Sequence, residues 1–338
     1  MYRRGTRLSP RGGARHARGL GHTRHMDLPF RLLNVFSIDG DPFSGNPLAV
    51  VTDAGTLSDA QMQAWARQFN LSETAFVTDR DGAGHATMRI FTPGHEMPFA
   101  GHPALGTAAV VAGLGPTPLD AVTLTMPAGE IPVSRVGAGW TLTAPPATTR
   151  AVTSSPADLA AALGVEPGVV VRSDALWVGA GVEQLVVRAD SVAGVRSCRP
   201  DAVAMAEHMT SPGRPPHVYV WAWTGPTSIE ARLFYTQDGA AHEDPATGSA
   251  CANLGAWLVH QGSRDVTVAV SQGAAVGRPS LLLLEIDARG GVHVGGRVEE
   301  VGSGTCIAHD SGAGVSADLD AVADADLDAD ADAVAERA

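Results

Sequence analysis

The sequence predicts an α+β fold in which two similar halves each wrap a curved, mixed β-sheet around a central helix. Three observations carry this. Pro103 to Ala112 and Ala250 to His260 read as helices of Ala and other small or apolar residues, apolar on all sides, the pattern of a buried helix. Each is entered through a polar turn that contains glycine: Phe99-Ala100-Gly101-His102-Pro103 in one case, Glu243-Asp244-Pro245-Ala246-Thr247-Gly248-Ser249 in the other. The strand-like segments around them come in a mixed order, which argues against a regular alternation of strand and helix.

Taken in order, the first half reads as strands over Arg31 to Phe36 and Leu48 to Val51, then a helix over Asp59 to Phe69 with Ser58 as its N-cap. Strands follow over Ala75 to Thr78 and Thr87 to Phe91. The first buried helix starts with Pro103 near its first position and stops at Gly113, the expected asymmetry. Val122 to Met126 and Trp140 to Thr143 are strands. The second half reads as strands over Leu176 to Val178, Gln184 to Val187, Val218 to Trp223 and Ile229 to Phe234, with a helix over Ala202 to His208. The second buried helix stops at Gly262, and strands over Val266 to Ser271, Ser280 to Ile286 and Val292 to Val298 close the half. Gly101 matches Gly248 and His102 matches Ser249 at an offset of 147, a match of role more than of identity. The organisation expected is a basic tail over 1–25, halves over 26–147 and 148–310, and an acidic Ala/Asp tail over 311–338. Both tails are expected to be disordered, since neither can bury enough apolar surface to offset ordering entropy.

Composition narrows the chemistry. The tails carry opposite charges that cancel, and residues 26–310 hold 16 Arg against 28 acids. A body this acidic repels phosphate backbones, so no nucleic-acid partner is expected. The chain has no lysine at all: its 24 basic residues are all Arg. That excludes a pyridoxal-phosphate Schiff base and a P-loop. The longest apolar run, around Leu281 to Leu284, is strand-sized, and no membrane span is expected. Three cysteines, Cys198, Cys251 and Cys306, with no C-x-x-C spacing, point to a reducing, cytoplasmic compartment. No G-x-S-x-G elbow and no G-x-G-x-x-G after a strand is present.

The candidate chemistry lies at the turns. The first N–H groups of a helix lack internal partners and sit at the positive end of its dipole, so they attract anions. Two such mouths suit a carboxylate substrate held between two halves. A carboxyl group facing them in an apolar cleft has its pKa raised and can take a proton off one carbon and deliver it to another. The candidates are Glu73 in Asn70-Leu71-Ser72-Glu73-Thr74, His102, Asp244, Ser249, and Asn46 in Ser44-Gly45-Asn46-Pro47. Each also has a plainer reading. Glu73 serves equally as a surface or capping residue, His102 as part of a helix cap, Asp244 and Asn46 as turn formers, Ser249 as an N-cap. Two clusters, His95-Glu96 with His102 and His242-Glu243-Asp244, offer metal-ligand atoms, but their spacing fits no H-E-x-x-H pattern. Cys251, inside a helix, reads as a small core residue before it reads as a nucleophile.

These residues resemble the PhzF family of phenazine-biosynthesis isomerase-like proteins. The matching pieces are Phe43-Ser44-Gly45-Asn46-Pro47-Leu48-Ala49-Val50-Val51, Leu71-Ser72-Glu73-Thr74-Ala75-Phe76-Val77, Arg89-Ile90-Phe91-Thr92-Pro93, Pro98-Phe99-Ala100-Gly101-His102-Pro103-Ala104-Leu105-Gly106 and Glu243-Asp244-Pro245-Ala246-Thr247-Gly248-Ser249-Ala250. The resemblance implies a diaminopimelate-epimerase-like fold and a homodimeric isomerase with no cofactor and no metal. It implies that Glu73 shuttles the proton while His102 and Asp244 act with it. It also implies that Asn46, Ser72, Gly101, Thr247, Gly248 and Ser249 bind a small, cyclic carboxylate substrate. Epimerases of this fold use two cysteines at the helix mouths, where this chain has Gly101-His102 and Thr247-Gly248-Ser249, so a two-thiol racemisation is disfavoured. An amino-acid epimerase or racemase and a non-catalytic binding protein remain the alternatives. His95, and Tyr235-Thr236-Gln237 in place of a proline-containing turn, depart from the family pattern and are candidates to line the pocket.

Overall fold

The computed structural model describes residues 25–171 and 174–309. The tails expected over 1–25 and 311–338 lie outside the described residues, except His25, which opens the first strand. The first half runs β1 (His25–Ser37), β2 (Asn46–Val51), α1 (Asp59–Phe69), β3 (Thr74–Arg80), β4 (His85–Phe91), β5 (Glu96–Met97), α2 (Gly101–Gly113), β6 (Ala121–Met126), β7 (Gly129–Val136) and β8 (Gly139–Thr143). The second runs β9 (Thr148–Ala151), α3 (Pro156–Ala162), β10 (Leu176–Ala180), β11 (Val182–Arg188), α4 (Val192–Ser197), α5 (Ala202–His208), β12 (His217–Gly225), β13 (Ser228–Gln237), β14 (Ala240–Asp244), α6 (Gly248–His260), β15 (Val266–Gln272), β16 (Ser280–Ile286) and β17 (Val292–His309). Among the described residues no helix is long and apolar enough to cross a membrane.

The pairing pattern repeats. In the first half β1–β2 is antiparallel, β2–β3 parallel, β3–β4 antiparallel, β4–β6 parallel, and β6–β7–β8 antiparallel. The second half repeats this strand for strand: β10–β11, β11–β12, β12–β13, β13–β15 and β15–β16–β17. Register makes the correspondence residue-specific. Thr74 lies beside Ala49 and opposite Phe91, while Val218 lies beside Leu185 and opposite Phe234. Glu73 therefore corresponds to His217, and Thr92 to Tyr235. An ion pair repeats as well: Arg89 reaches Glu96 at 2.6 Å, and Arg232 reaches Glu243 at 2.6 Å.

The halves are stitched by a strand shared between them: β17 pairs with β8 and continues onto β1. The β8–β17 seam is glycine-rich because the backbones crowd there. A Cβ on Gly139 would sit 2.6 Å from the Gly296 carbonyl oxygen, and one on Gly295 would sit 2.6 Å from that of Trp140.

The helices behave as their sequences predict. Ser58 caps α1 in a full capping box with Gln61. Eleven of the thirteen α2 residues and ten of the thirteen α6 residues are buried. Both helices start two residues earlier than predicted, at Gly101 and Gly248, so Pro103 is the third residue of α2 and not its first. Six elements had no sequence signal: β5 has only two residues, β7 and β9 are mostly exposed, β14 mixes exposed and half-buried positions, and α3 and α4 are two turns at most. β17 outruns its predicted end at Val298 because it gains a second partner in β1, and Gly304 passes under Phe30, where a Cβ would come within 2.7 Å of the ring.

Arg232 and Glu243 lie on the outer face of β13 and β14, with side chains only 10% and 8% exposed. Arg232 Nη1 also donates to the carbonyls of Val195 and Cys198 at the end of α4, at 3.2 and 3.0 Å. Removing the guanidinium would strand a buried carboxylate and free helix-end carbonyls together. Arg232→Ala is expected to lower the unfolding free energy by about 3–5 kcal/mol in urea titrations. Arg31→Ala, in the exposed pair with Glu300, is expected to change it by less than about 1 kcal/mol.

Candidate active site

The two buried helices meet at their N-terminal ends. A Cβ built on Gly101 would lie 3.5 Å from Gly248 Cα and 3.6 Å from Ser249 N. Neither N-cap residue, Ala100 or Thr247, caps its helix with a side chain. The first intrahelical bonds belong to Ala104 N and Cys251 N, so the N–H groups ahead of them have no internal partner. Phe36 packs beneath this junction, its Cζ 3.3 Å from the Cβ position of Gly248, and its φ of 64° is left-handed. That conformation is costly for a bulky residue, and only firm packing holds it. Phe36, Phe99, Leu142 and Val294 line a small apolar hollow under the two mouths. Glu73, His102 and Asp244 are not among its walls.

Asp244 ends β14, and pleat alternation puts it on the inner face of the sheet while Glu243 faces outward to Arg232. Asn46, at the start of β2 and 1% exposed, donates to Asp244 Oδ1 at 3.2 Å and to the Ala246 carbonyl at 2.8 Å. Its own oxygen accepts from the Ser72 hydroxyl at 3.3 Å. The Thr247 hydroxyl donates to Asp244 Oδ2. Thus four of the predicted residues form one hydrogen-bonded chain drawn from both halves.

Glu73 immediately precedes β3, which starts beside β2, and this places its carboxyl group near His102. Glu73 Oε2 lies 3.6 Å from His102 Nε2, too far for a hydrogen bond. Both atoms are buried, and neither has a hydrogen-bond partner among the described residues. Such atoms are rare and call for an explanation. His102 also hydrogen-bonds the backbone of Pro47, which can offer only its carbonyl, so that ring nitrogen carries a proton. In the neutral ring Nε2 is then a bare lone pair facing Glu73.

Burial sets the charges. It raises the Glu73 carboxyl, against an opposing pull from the Ser72 hydroxyl and from His95. It lowers the His102 imidazole to about 4, so the ring is neutral at physiological pH. Asp244 is pushed up to about 7, first by burial and then by the Glu73 charge, despite its bonds to Thr247 and Asn46. Three buried titratable groups that feel one another therefore carry fewer charges than their formal count.

Four polar residues had no sequence signal. Gln272 donates to the Asp244 carbonyl at 2.9 Å and to the Thr247 hydroxyl at 3.1 Å, and its oxygen accepts from Tyr219 OH at 3.1 Å. Gln184 donates to the Ser249 hydroxyl at 3.2 Å and accepts from Asn253 at 2.8 Å. All four lie within strands or a helix, where sequence alone reads them as ordinary polar positions. The rival residues fall away on geometry. Glu96 and Glu243 are engaged by arginines, and Cys251 is fully buried in α6 with its thiol raised by burial.

Two pseudo-equivalent halves with buried titratable groups at facing helix mouths define an enzyme of the epimerase-like fold. Solved structures agree. A PhzF-family phenazine biosynthesis protein from Bacillus anthracis superposes with a TM-score of 0.72 at 20% identity, over 83% of this chain and 99% of that one. A hydroxyproline epimerase from Agrobacterium vitis shares the fold at a TM-score of 0.55 and 11% identity, over 84% and 94%. The model of the phenazine biosynthesis-like protein family, PhzC-PhzF, matches residues 34–309, and the chain belongs to that family of isomerases. It is 33% identical over 271 residues to the trans-2,3-dihydro-3-hydroxyanthranilate isomerase of Pseudomonas aeruginosa, covering 77% of this chain and 91% of the relative. It is 32% identical over 287 residues to an uncharacterized isomerase of Pasteurella multocida, covering 81% and 92%.

The Asp244 shift has a consequence for stability. Its pKa rises from 3.8 to about 7 on folding, so the folded state holds this proton more tightly. Stability contributed this way is complete below the unfolded value and is lost as pH climbs through the folded one. Asp244→Asn, which cannot ionise, is expected to gain on the wild-type enzyme as pH rises and to show no gain under acid conditions. Urea midpoints at about pH 4 and pH 8 measure the difference.

Proposed function

We propose that this chain is a cofactor-independent isomerase that moves a proton between two carbons of a small cyclic carboxylate. The observation that carries this reading is the buried, unpartnered pair of Glu73 Oε2 and His102 Nε2, 3.6 Å apart beside the joined mouths of α2 and α6. Two polar atoms left without partners in a dry site are tolerable when a substrate supplies what they lack.

Glu73, ionised, takes a proton from one substrate carbon. The electron pair left behind delocalises toward the substrate carboxylate as an enolate. The N–H groups of Gly101, His102, Gly248 and Ser249 stabilise that charge, because they are already oriented and need no reorganisation. Glu73 then returns the same proton to a second carbon, so the enzyme ends as it began. His102, neutral, offers its Nε2 lone pair to Glu73 while that carboxyl carries the proton, and Asp244, held by Asn46 and Thr247, fixes the other side of the substrate. Burial raises the Glu73 carboxyl, which makes its ionised form a stronger base. The Pseudomonas aeruginosa relative, named for isomerising trans-2,3-dihydro-3-hydroxyanthranilate, supplies the first substrate to try. A cytoplasmic homodimer goes with this reading, and light scattering at micromolar concentration tests the dimer.

Glu73→Gln is expected to fold normally by circular dichroism and to lose about 10²–10⁴-fold in kcat on that dihydro acid. In D2O the wild-type product is expected to carry deuterium wherever the Glu73 proton exchanges before its return. Undiminished turnover by Glu73→Gln would overturn the shuttle. Binding of the acid with no turnover by the wild-type protein would instead point to a binding protein that keeps the fold without the chemistry.

A further inference from the structure

Beyond the groups that the proposed reaction uses, one cluster stands on the inner face of the second half. His217, Tyr235 and His242 stand side by side on β12, β13 and β14, in direct register. The His217 and Tyr235 rings stack with centroids 5.9 Å apart and planes 15° apart. Tyr235 and His242 stack at 5.4 Å and 27°. The phenol ring is thus clamped on both faces, and its free parts are its edge and its hydroxyl. A tyrosine held this way loses little rotamer freedom when a ligand arrives.

The sheet aims this ring at the site. Asp244 lies two residues beyond His242 on β14, and its register partner Leu233 lies two residues before Tyr235 on β13. Period-two alternation therefore puts Tyr235 and Asp244 on one face as diagonal neighbours. Tyr235 feels the charges of both Asp244 and Glu73, which with burial raise its phenol, so the hydroxyl keeps its proton. Among the described residues that hydroxyl makes no hydrogen bond with the protein. The internal repeat adds a further point. Thr92 is the counterpart of Tyr235, and Thr92 spends its hydroxyl on its own turn, accepting from Gly94 N and His95 N at 3.2 and 3.0 Å. The second half has replaced a turn-locking hydroxyl by a long, rigid one with no partner.

We propose that Tyr235, clamped between His217 and His242, is a specificity-determining residue whose hydroxyl hydrogen-bonds a neutral hydroxyl substituent on the ring of the carboxylate substrate. Two carboxyl groups nearby disfavour an anionic substituent at this point, and a neutral hydroxyl can both donate and accept. This inference rests on the reading that the site takes a cyclic carboxylate, and the test separates the two.

The probes are anthranilate and 3-hydroxyanthranilate, titrated calorimetrically into the full-length protein. The wild-type protein is expected to bind the hydroxylated acid about five- to tenfold more tightly, the yield of one net hydrogen bond. Tyr235→Phe keeps the stack and removes the hydroxyl. It is expected to bind both acids alike, with anthranilate affinity within about twofold of wild type and an unchanged melting temperature. His242→Ala unclamps one face of the ring and is expected to reduce the preference part of the way. A preference that survives in Tyr235→Phe, or that the wild-type protein lacks while binding anthranilate, overturns the role of Tyr235. Failure of the wild-type protein to bind either acid removes the carboxylate site itself, and this inference with it.

Discussion

Holding two carboxyl groups and an imidazole away from water is the constraint on which the rest of this structure depends. Burial raises Glu73 and Asp244 and lowers His102, in each case disfavouring the charged form. The protein offsets part of that penalty around Asp244, where Asn46 and Thr247 supply donors and Gln272 secures the backbone. It leaves the penalty standing between Glu73 and His102, whose facing atoms have no partner. A site that is satisfied on one side and unsatisfied on the other distinguishes scaffold from working groups.

The fold supplies the dry environment through two helices buried on nearly every face. Such helices need small residues, because a sheet must curve closely around them. At Gly106 a Cβ would come within 2.4 Å of Leu48, and at Gly255 within 2.5 Å of Val292. The strands that cross between halves then fix the two mouths against each other. Without the pairing of β17 with β8 and β1, each half would present one helix mouth and part of a polar chain. With it, Asn46 of the first half reaches Asp244 of the second.

The repeat explains why evolution of the two halves is hard to see in the residues. Arg89 and Arg232 correspond at an offset of 143, and Gly101 and Gly248 at 147, so no constant shift aligns them. The functional positions have diverged further still. Glu73 faces His217 in the correspondence, and Thr92 faces Tyr235. One half carries the buried Glu73 and His102 and the other a clamped aromatic group, so that a nearly symmetric frame holds asymmetric side chains.

Local sequence determined the elements whose physics is local. Ser58 with Gln61 marks the start of α1, and apolar composition on every side marks α2 and α6 as buried. The turn motifs located Glu73, His102, Asp244 and their neighbours, because turn chemistry and helix entry leave short-range signatures. The strands β7, β9 and β14 left none, since their residues show no apolar alternation. Only the tertiary structure decided which of two adjacent acids turns inward. Asp244 and Glu243 are equivalent in sequence, yet one step of pleat sends the first inward to Asn46 and the second outward to Arg232. It alone also brought in Gln272, Gln184 and Tyr219, because a polar side chain within a strand acquires its meaning from the face on which register places it.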